Sequence, residues 1–233
     1  MMLEVSYFFP TFVTYYLTQI FMARIKKGIL GDVEGQLGGV IGYRRNGKNF
    51  LRAAPASHHD KRSEGQMKQR KKFALVNEFI LSAIPFFNIG YKVLAQQHTA
   101  YNAAMSYLLH HAIKEVDGDY LLNYQRIMVS LGTLLPAPNI SLKEEEGMLL
   151  LTWDDNSGIG NAEPSDVAMF FIHHKVQKTS IYLLDGSRRA DCGGKIPLKS
   201  GWNTKDLVFY LAFRRENYEE VSCSQPLFLI SNP

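Results

Sequence analysis

Polar and apolar positions follow four different patterns along the chain. From Val5 to Ala23 no residue carries a formal charge, and Arg24, Lys26 and Lys27 follow at once. A run of that length is just able to span a bilayer. Pro10 interrupts it, and no basic residue precedes it as a secretory signal requires. The first reading is that residues 1–21 come from an over-extended start, because Met22-Ala23-Arg24-Ile25-Lys26-Lys27 reads like a natural N-terminus. A membrane anchor over residues 5–23 is the second reading.

The next pattern, over residues 28–54, is short apolar stretches broken by glycine. Asn46-Gly47 is the preferred pair for a two-residue hairpin turn. It lies between Val40-Ile41-Gly42-Tyr43-Arg44 and Lys48-Asn49-Phe50-Leu51-Arg52, which predicts a β-hairpin with a basic tip. Glycines in its first strand, Gly35 to Gly42, predict bulges or close backbone approach. Alternation along that strand places Leu37 and Ile41 on one face and Val40 on the other.

After a polar loop from Pro55 to Asp60 the period becomes helical. Ser63-Glu64-Gly65-Gln66 fits a capping box. Met67, Phe73, Val76, Ile80 and Ile84 follow near the helical spacing, and Pro85 ends or kinks the helix. A second helix over 98–116 carries Tyr101, Met105, Leu108, Leu109, Ala112 and Val116 on one face, and Asp117-Gly118-Asp119 stops it. From Tyr120 onward the runs are short and rich in β-branched and aromatic residues. They are 124–131, 148–153, 167–174, 179–184, 207–213 and 222–230. The expected fold is α+β. Residues 22–118 form a basic hairpin and helical domain, and residues 119–233 form an immunoglobulin-like or fibronectin III-like antiparallel β-sandwich.

Composition narrows the class little further. With 46% hydrophobic and 21% charged residues, the chain is not disordered, collagenous or a polytopic membrane protein. Charge distribution says more than the net value of +4. Residues 22–72 carry a net +9 and residues 73–233 a net −4. An anionic partner of the front half is therefore expected at Arg44, Arg45, Lys48, Arg52, Arg62, Lys68, Arg70, Lys71 and Lys72. Lysines in the first turns of a helix oppose its dipole, and no local partner is evident for them. Tyr43 and Phe50 are placed to stack on bases. A basic solvated surface, or contact with an acidic subunit, explains the same charges.

No constellation carries catalytic spacing. Six of the seven histidines fall in adjacent pairs, His58-His59, His110-His111 and His173-His174, which point apart in a helix or strand. Cys192 and Cys223 read as two free, partly buried thiols. Asp154-Asp155 with Asn156 and Asp166 offers oxygens without the spacing of a calcium loop. Gly-x-Ser-x-Gly is absent, and the glycine run lacks the Gly-Lys-Ser/Thr of a phosphate loop. No enzyme, metal or cofactor is expected.

Several phrases nevertheless resemble a known family. Met22-Ala-Arg-Ile-Lys-Lys-Gly-Ile-Leu-Gly31 and Gly35-x-x-Gly38-x-Val40-x-Gly42 resemble the opening of a large bacterial family of unknown function. Phe50-Leu51-Arg52 with Pro55, then Ser63, Gln66, Arg70 and Phe73, then Asn88-Ile89-Gly90-Tyr91, are similar to its next segments. Ser130-x-Gly132-x-Leu134 and Leu151-Thr152-Trp153-Asp154-Asp155-Asn156-Ser157-Gly158 match its β half. The likeness spans 22–230, and one departure is Arg44-Arg45-Asn46-Gly47-Lys48 where the family has a Trp-Lys-Gly turn. It implies organisation and no activity. Separately, Trp153 and Tyr210 resemble the core tryptophan and the core or corner tyrosine of fibronectin III or immunoglobulin modules.

The expected function is that of a non-catalytic assembly or adhesion-type protein, cytoplasmic or part of a particle. Its partner is another protein or a second copy, met through the glycine-rich hairpin. Nucleic acid or another polyanion, met through residues 44–72, is the alternative.

Overall fold

The computed structural model describes residues 24–26, 32–45, 47–55, 62–96 and 98–229. The expectations for residues 1–21, for an anchor over 5–23 and for the loop after Pro55 lie largely outside these. The chain divides into two compact units, Met1–Lys61 and Arg62–Pro233.

The first unit is an antiparallel sheet in the order β1 (Arg24–Lys26), β2 (Asp32–Leu37), β3 (Val40–Arg45), β4 (Lys48–Ala53). Leu37 pairs with Val40, so Gly38-Gly39 is a tight turn rather than part of a bulged strand. Gly38 has φ +56, which favours glycine. Arg45 pairs with Lys48 as the hairpin reading requires. Gly47 has φ +76, while Asn46 lies outside the described residues. The turn at Gly38-Gly39 also corrects the faces. Leu37 and Val40 stand opposite each other and share one face, with Ile41 on the other.

The second unit begins with α1 (Glu64–Leu81), α2 (Ile84–Gly90) and α3 (Ala100–His111). The capping box holds, with the Gln66 N–H donating to the Ser63 hydroxyl at 3.3 Å. Pro85 sits in the first turn of α2, where its missing N–H costs nothing, and α1 and α2 meet at 93°. Among the described residues no single helix is long and apolar enough to cross a membrane. The second helix ends at His111 rather than continuing to 116. Ile113–Val116 is β5, paired with β6 (Asp119–Leu122) across Asp117-Gly118, whose φ values are 52 and 82. An Asp-Gly pair with both φ positive is a hairpin turn, and it overrides the helical period of the preceding apolar residues.

Seven strands follow: β7 (Ser141–Glu145), β8 (Met148–Thr152), β9 (Val167–His174), β10 (Thr179–Leu183), β11 (Gly193–Pro197), β12 (Leu207–Arg214) and β13 (Gln225–Leu227). They form two antiparallel sheets, β11-β8-β7 and β10-β9-β12-β13. The fold is thus α+β. Gly193-Gly194 opens β11, and the strand expected over 222–230 shortens to β13.

Every residue of β9 is buried, and the reason lies on its two faces. Ala168, Phe170 and Ile172 join Phe209, Leu211 and Phe213 of β12 in one core with Leu142, Leu149 and Leu151 of the other sheet and Trp153 just beyond β8. Met169 and Phe171 join Tyr210 and Ala212 in a second core with Val76, Phe79, Ile80, Phe86 and Leu108 of the helices. The four-stranded sheet is therefore the middle layer of three. A strand covered on both faces has no place for a polar alternation, which is why its sequence is a continuous apolar run. The helices expected to accompany the hairpin share their core with the sheet instead.

The segment 124–131, expected as a strand, is irregular and acts as the joint between helices and sheet. Tyr91 donates its hydroxyl to Met128 O at 2.7 Å, and Leu131 N–H donates to Gly90 O at 2.9 Å. Ser130 is fully buried, and its hydroxyl donates to Ser222 O at 2.8 Å. A Cβ on Gly90 would lie 2.5 Å from Val129 O, and one on Gly132 would lie 2.1 Å from Val221 O. Asn88-Ile89-Gly90-Tyr91 and Ser130-x-Gly132 thus meet in space. Their glycines are present because two backbones approach there too closely for any side chain.

Candidate functional site

The nine basic candidates divide between the two units. On the first, strand alternation and register put Arg45, Lys48 and Arg52 on one face with Ile41, Tyr43 and Phe50. The Tyr43 and Phe50 rings stack with centroids 5.5 Å apart and planes 19° from parallel. Arg45 stands directly opposite Lys48, a like-charge pair that an anion between them would relieve. Arg44 is on the other face, beside Asn49 and away from the aromatic pair. Away from Arg44 and Asn49 at the tip, that other face is apolar. Leu37, Val40 and Leu51 are 58%, 42% and 67% exposed. Gly42 is the one buried residue among those described in this unit.

Arg62, Lys68, Arg70, Lys71 and Lys72 belong to the second unit, at the start of α1. The lysines that lacked an evident partner in the sequence have partners in the fold. Lys68 pairs with Glu64 at 2.7 Å, Lys71 with Asp119 at 3.4 Å, and Lys72 lies 4.6 Å from the centre of the Tyr120 ring. The β5–β6 hairpin supplies two of these partners from 48 residues away, which no local reading of the helix anticipates. The pairs are exposed, so each holds its lysine only weakly. Tyr43, Phe50 and the start of α1, where Met67 and Phe73 are 41% and 46% exposed, are the surfaces on which aromatic or apolar groups accompany the charges.

Sequence reasoning missed a buried polar hub in the β part. Arg189 and Asp166 are both fully buried and 3.0 Å apart. The Arg189 guanidinium donates to Asp166, to the Asn156 side chain at 2.7 Å and to Leu135 O at 2.8 Å. Its plane lies 4.2 Å from the Phe213 ring centre. Asp166 also accepts from Arg215 at 2.9 Å and from the Glu163 N–H at 2.9 Å. Burial lowers the Arg189 pKa from its usual value, and the Asp166 charge opposes that shift. The oxygens of Asn156 and Asp166, weighed as cation ligands, thus converge on a guanidinium. Among the described residues no group of three His, Cys, Asp or Glu side chains is placed to hold a metal. The weak signal for this hub was an arginine in a Gly/Asp-rich loop with an Asn-Ser-Gly turn far upstream. Cys192 and Cys223 are unpaired and half-buried.

The histidine pairs separate as adjacent residues must. His58-His59 lies outside the described residues. His110 and His111 are exposed at the end of α3. His174 packs edge-on against Trp202 at 5.3 Å, and His173, on the opposite face of β9, packs edge-on against Phe79 at 4.8 Å. Burial, with help from the charge of His174, depresses the His173 pKa to about 4. Its unfolded value is near 6.5, so the unfolded state binds the extra proton between those two limits. Stability is full above about pH 6.5 and falls as the pH drops towards about 4, by up to about 3 kcal/mol. Urea unfolding at pH 7 and pH 5 is expected to show this loss, and His173→Gln is expected to flatten it. An unchanged slope in the variant would remove His173 as the cause.

Two open cavities flank this region. The larger, about 620 Å³, lies along the edge of β12 between Tyr124 and Phe228. The smaller, about 330 Å³, is bounded by α1, β6 and His173. Tyr210, expected as a core or corner tyrosine, is a core residue. It is 1% exposed, and its hydroxyl donates to Tyr124 O at 2.7 Å, far upstream in the chain.

A family model described as a family of unknown function (DUF6266) matches residues 31–227. No curated protein matches the chain significantly.

Proposed function

The chain belongs to the family of unknown function DUF6266, and we propose that within it this protein is a non-catalytic assembly or interaction module that docks through its glycine-rich sheet. The observation that carries this reading is that the described strands of the first unit form one sheet, and that no side chain among the residues of described burial there is buried. Gly42, which has no side chain to contribute, is its one buried described residue. A sheet gains independent stability by packing a hydrophobic face against something. Leu37, Val40 and Leu51 offer such a face, and Arg44, the charge that shares it on β3, stands at the hairpin tip beside Asn49. A second copy of the chain therefore suits it. β4, an edge strand of this sheet among the described residues, offers a further backbone contact.

Light scattering of the full chain is expected to give an oligomer at micromolar concentration. A chain lacking residues 35–53 is expected to be monomeric. A monodisperse monomer for the intact chain would overturn self-association.

The opposite face favours a second reading, binding of single-stranded nucleic acid. The stacked Tyr43–Phe50 pair flanked by Arg45, Lys48 and Arg52 supports it. Retention of the intact chain on single-stranded DNA that survives Tyr43→Ala, or no retention at moderate salt, would reject it.

For the β part we propose a fibronectin III-like sandwich as the scaffold. Support comes from two antiparallel sheets that contribute to one core, with Trp153 at its centre. Helices covering the outer face of one sheet are an addition to that plan.

A further inference from the structure

The smaller cavity holds a feature that docking through the first unit does not use. Its walls include Phe79 of α1, Lys114 of β5, Leu122 of β6, Tyr124 and His173. His173 is only 2% exposed, and three hydroxyl and carbonyl groups determine which of its nitrogens carries the proton. Ser82 has one hydroxyl proton and gives it to Phe79 O at 2.7 Å. The 2.6 Å contact between the Ser82 and Ser180 hydroxyls is therefore donated by Ser180. Ser180 has then spent its own proton and accepts from His173 Nδ1 at 2.9 Å. Burial keeps the ring neutral at pH 7. A neutral imidazole protonated at Nδ1 presents Nε2 as a lone pair. No hydrogen bond reaches Nε2 among the described residues, and it is not one of the fully buried unpaired atoms, so its lone pair is open to a donor in the cavity that His173 lines.

The mouth of the cavity has the opposite chemistry. Lys114, Lys175 and Lys178 line it against the single acid Glu78. Lys178 is engaged with Glu78 at 2.8 Å, and Lys175 donates to Lys205 O at 2.7 Å. Lys114 has no ion-pair partner among the described residues and is exposed. The Phe79 ring, Leu122 and Tyr124 supply the aromatic and apolar part of the same lining.

We propose that this cavity binds a small aromatic carboxylate that carries an N–H or O–H donor at the end remote from its carboxylate. The donor meets His173 Nε2, the ring lies against Phe79, Leu122 and Tyr124, and the carboxylate meets Lys114. A volume of about 330 Å³ suits a ligand of indole-acid size. The inference is independent of the docking surface, which lies in the other unit.

The test uses the full chain and two probes of the same shape. Indole-3-acetate has the N–H, and 1-benzothiophene-3-acetate has sulfur in its place. Isothermal titration is expected to show the indole acid binding about tenfold or more tightly than its isostere, because a site built around an acceptor rejects the analogue that cannot donate. Lys114→Ala, on an exposed strand and away from the core, is expected to weaken the indole acid several-fold and to leave the difference between probes intact. The His173 Nε2 nitrogen resonance is expected to shift with the indole acid alone. Equal affinity for the two acids, an unaltered affinity in Lys114→Ala, or no binding of indole-3-acetate at millimolar concentration would each overturn the proposal.

Discussion

Replacing Asp166 by alanine is expected to cost about 3–5 kcal/mol of stability, because it strands the fully buried guanidinium of Arg189 without its counter-charge. The loss is a penalty for the charge left behind rather than the net worth of the pair. It follows that Asp166→Ala combined with Arg189→Met should be less destabilised than the two single variants added together, by at least about 1 kcal/mol. Chemical denaturation of the four chains measures both statements. Strict additivity would mean that the two groups do not act as a unit. The neighbours make the unit larger than a pair. Arg215 reaches the same carboxylate and also donates to Asn161 O at 2.6 Å, so Asp166 ties the loop after β8 to the end of β12.

Trp153→Ala is expected to cost about 3–5 kcal/mol as well, by the different route of cavity formation in a close-packed core. Trp153 is 3% exposed and meets Phe213 edge-on with ring centres 5.4 Å apart. Its indole N–H donates to Arg189 O at 2.8 Å, so the same side chain fills the core and holds the backbone of the buried arginine. Trp153→Phe keeps most of the volume and removes the donor. It is expected to lose about 1–2 kcal/mol, the value of one buried hydrogen bond and a few contacts. Urea unfolding monitored by far-ultraviolet circular dichroism checks the ranking. A loss below about 1 kcal/mol for the alanine variant would contradict the placement of Trp153 between the sheets. Because Trp153 and Asp166 both act on Arg189, their effects should not be additive.

The candidate interaction surface was legible in part. Charge and the Asn46-Gly47 turn pointed to the hairpin, and the pairing of Arg45 with Lys48 agrees with that turn. The faces of the sheet were not legible, because they depend on where the chain reverses. Gly38-Gly39 could be a bulge or a turn from composition alone. Choosing the turn moves Leu37 from the face of Ile41 to the face of Val40. That one choice gathers Leu37, Val40 and Leu51 on one face, with Arg44 at its tip, and Tyr43, Phe50, Arg45, Lys48 and Arg52 on the other. The lysines of α1 were misjudged for a similar reason. Helical spacing shows the pairing of Lys68 with Glu64, but Asp119 and Tyr120 arrive from a hairpin that the helical period had hidden.

What the sequence determined by itself is local. The Ser63–Gln66 capping box, the break before Pro85, the cross-strand turn beyond Arg45 and the strands 148–152, 167–174 and 207–214 follow from steric and hydrogen-bonding preferences within a few residues. Family membership follows from phrases of the same kind. Tertiary structure alone decided which surfaces are covered and which polar groups converge. The apolar runs of β9 and β12 are compatible with a buried strand in any setting, and only the packing of helices on one face and β-strands on the other explains them. Arg189, Asn156 and Asp166 meet across loops, as do His173, Ser180 and Ser82, over separations of up to 98 residues. Burial is the physical reason. A polar group withdrawn from water must find its partner inside the fold, and that partner is set by the path of the chain through space, which the order of residues near it does not contain.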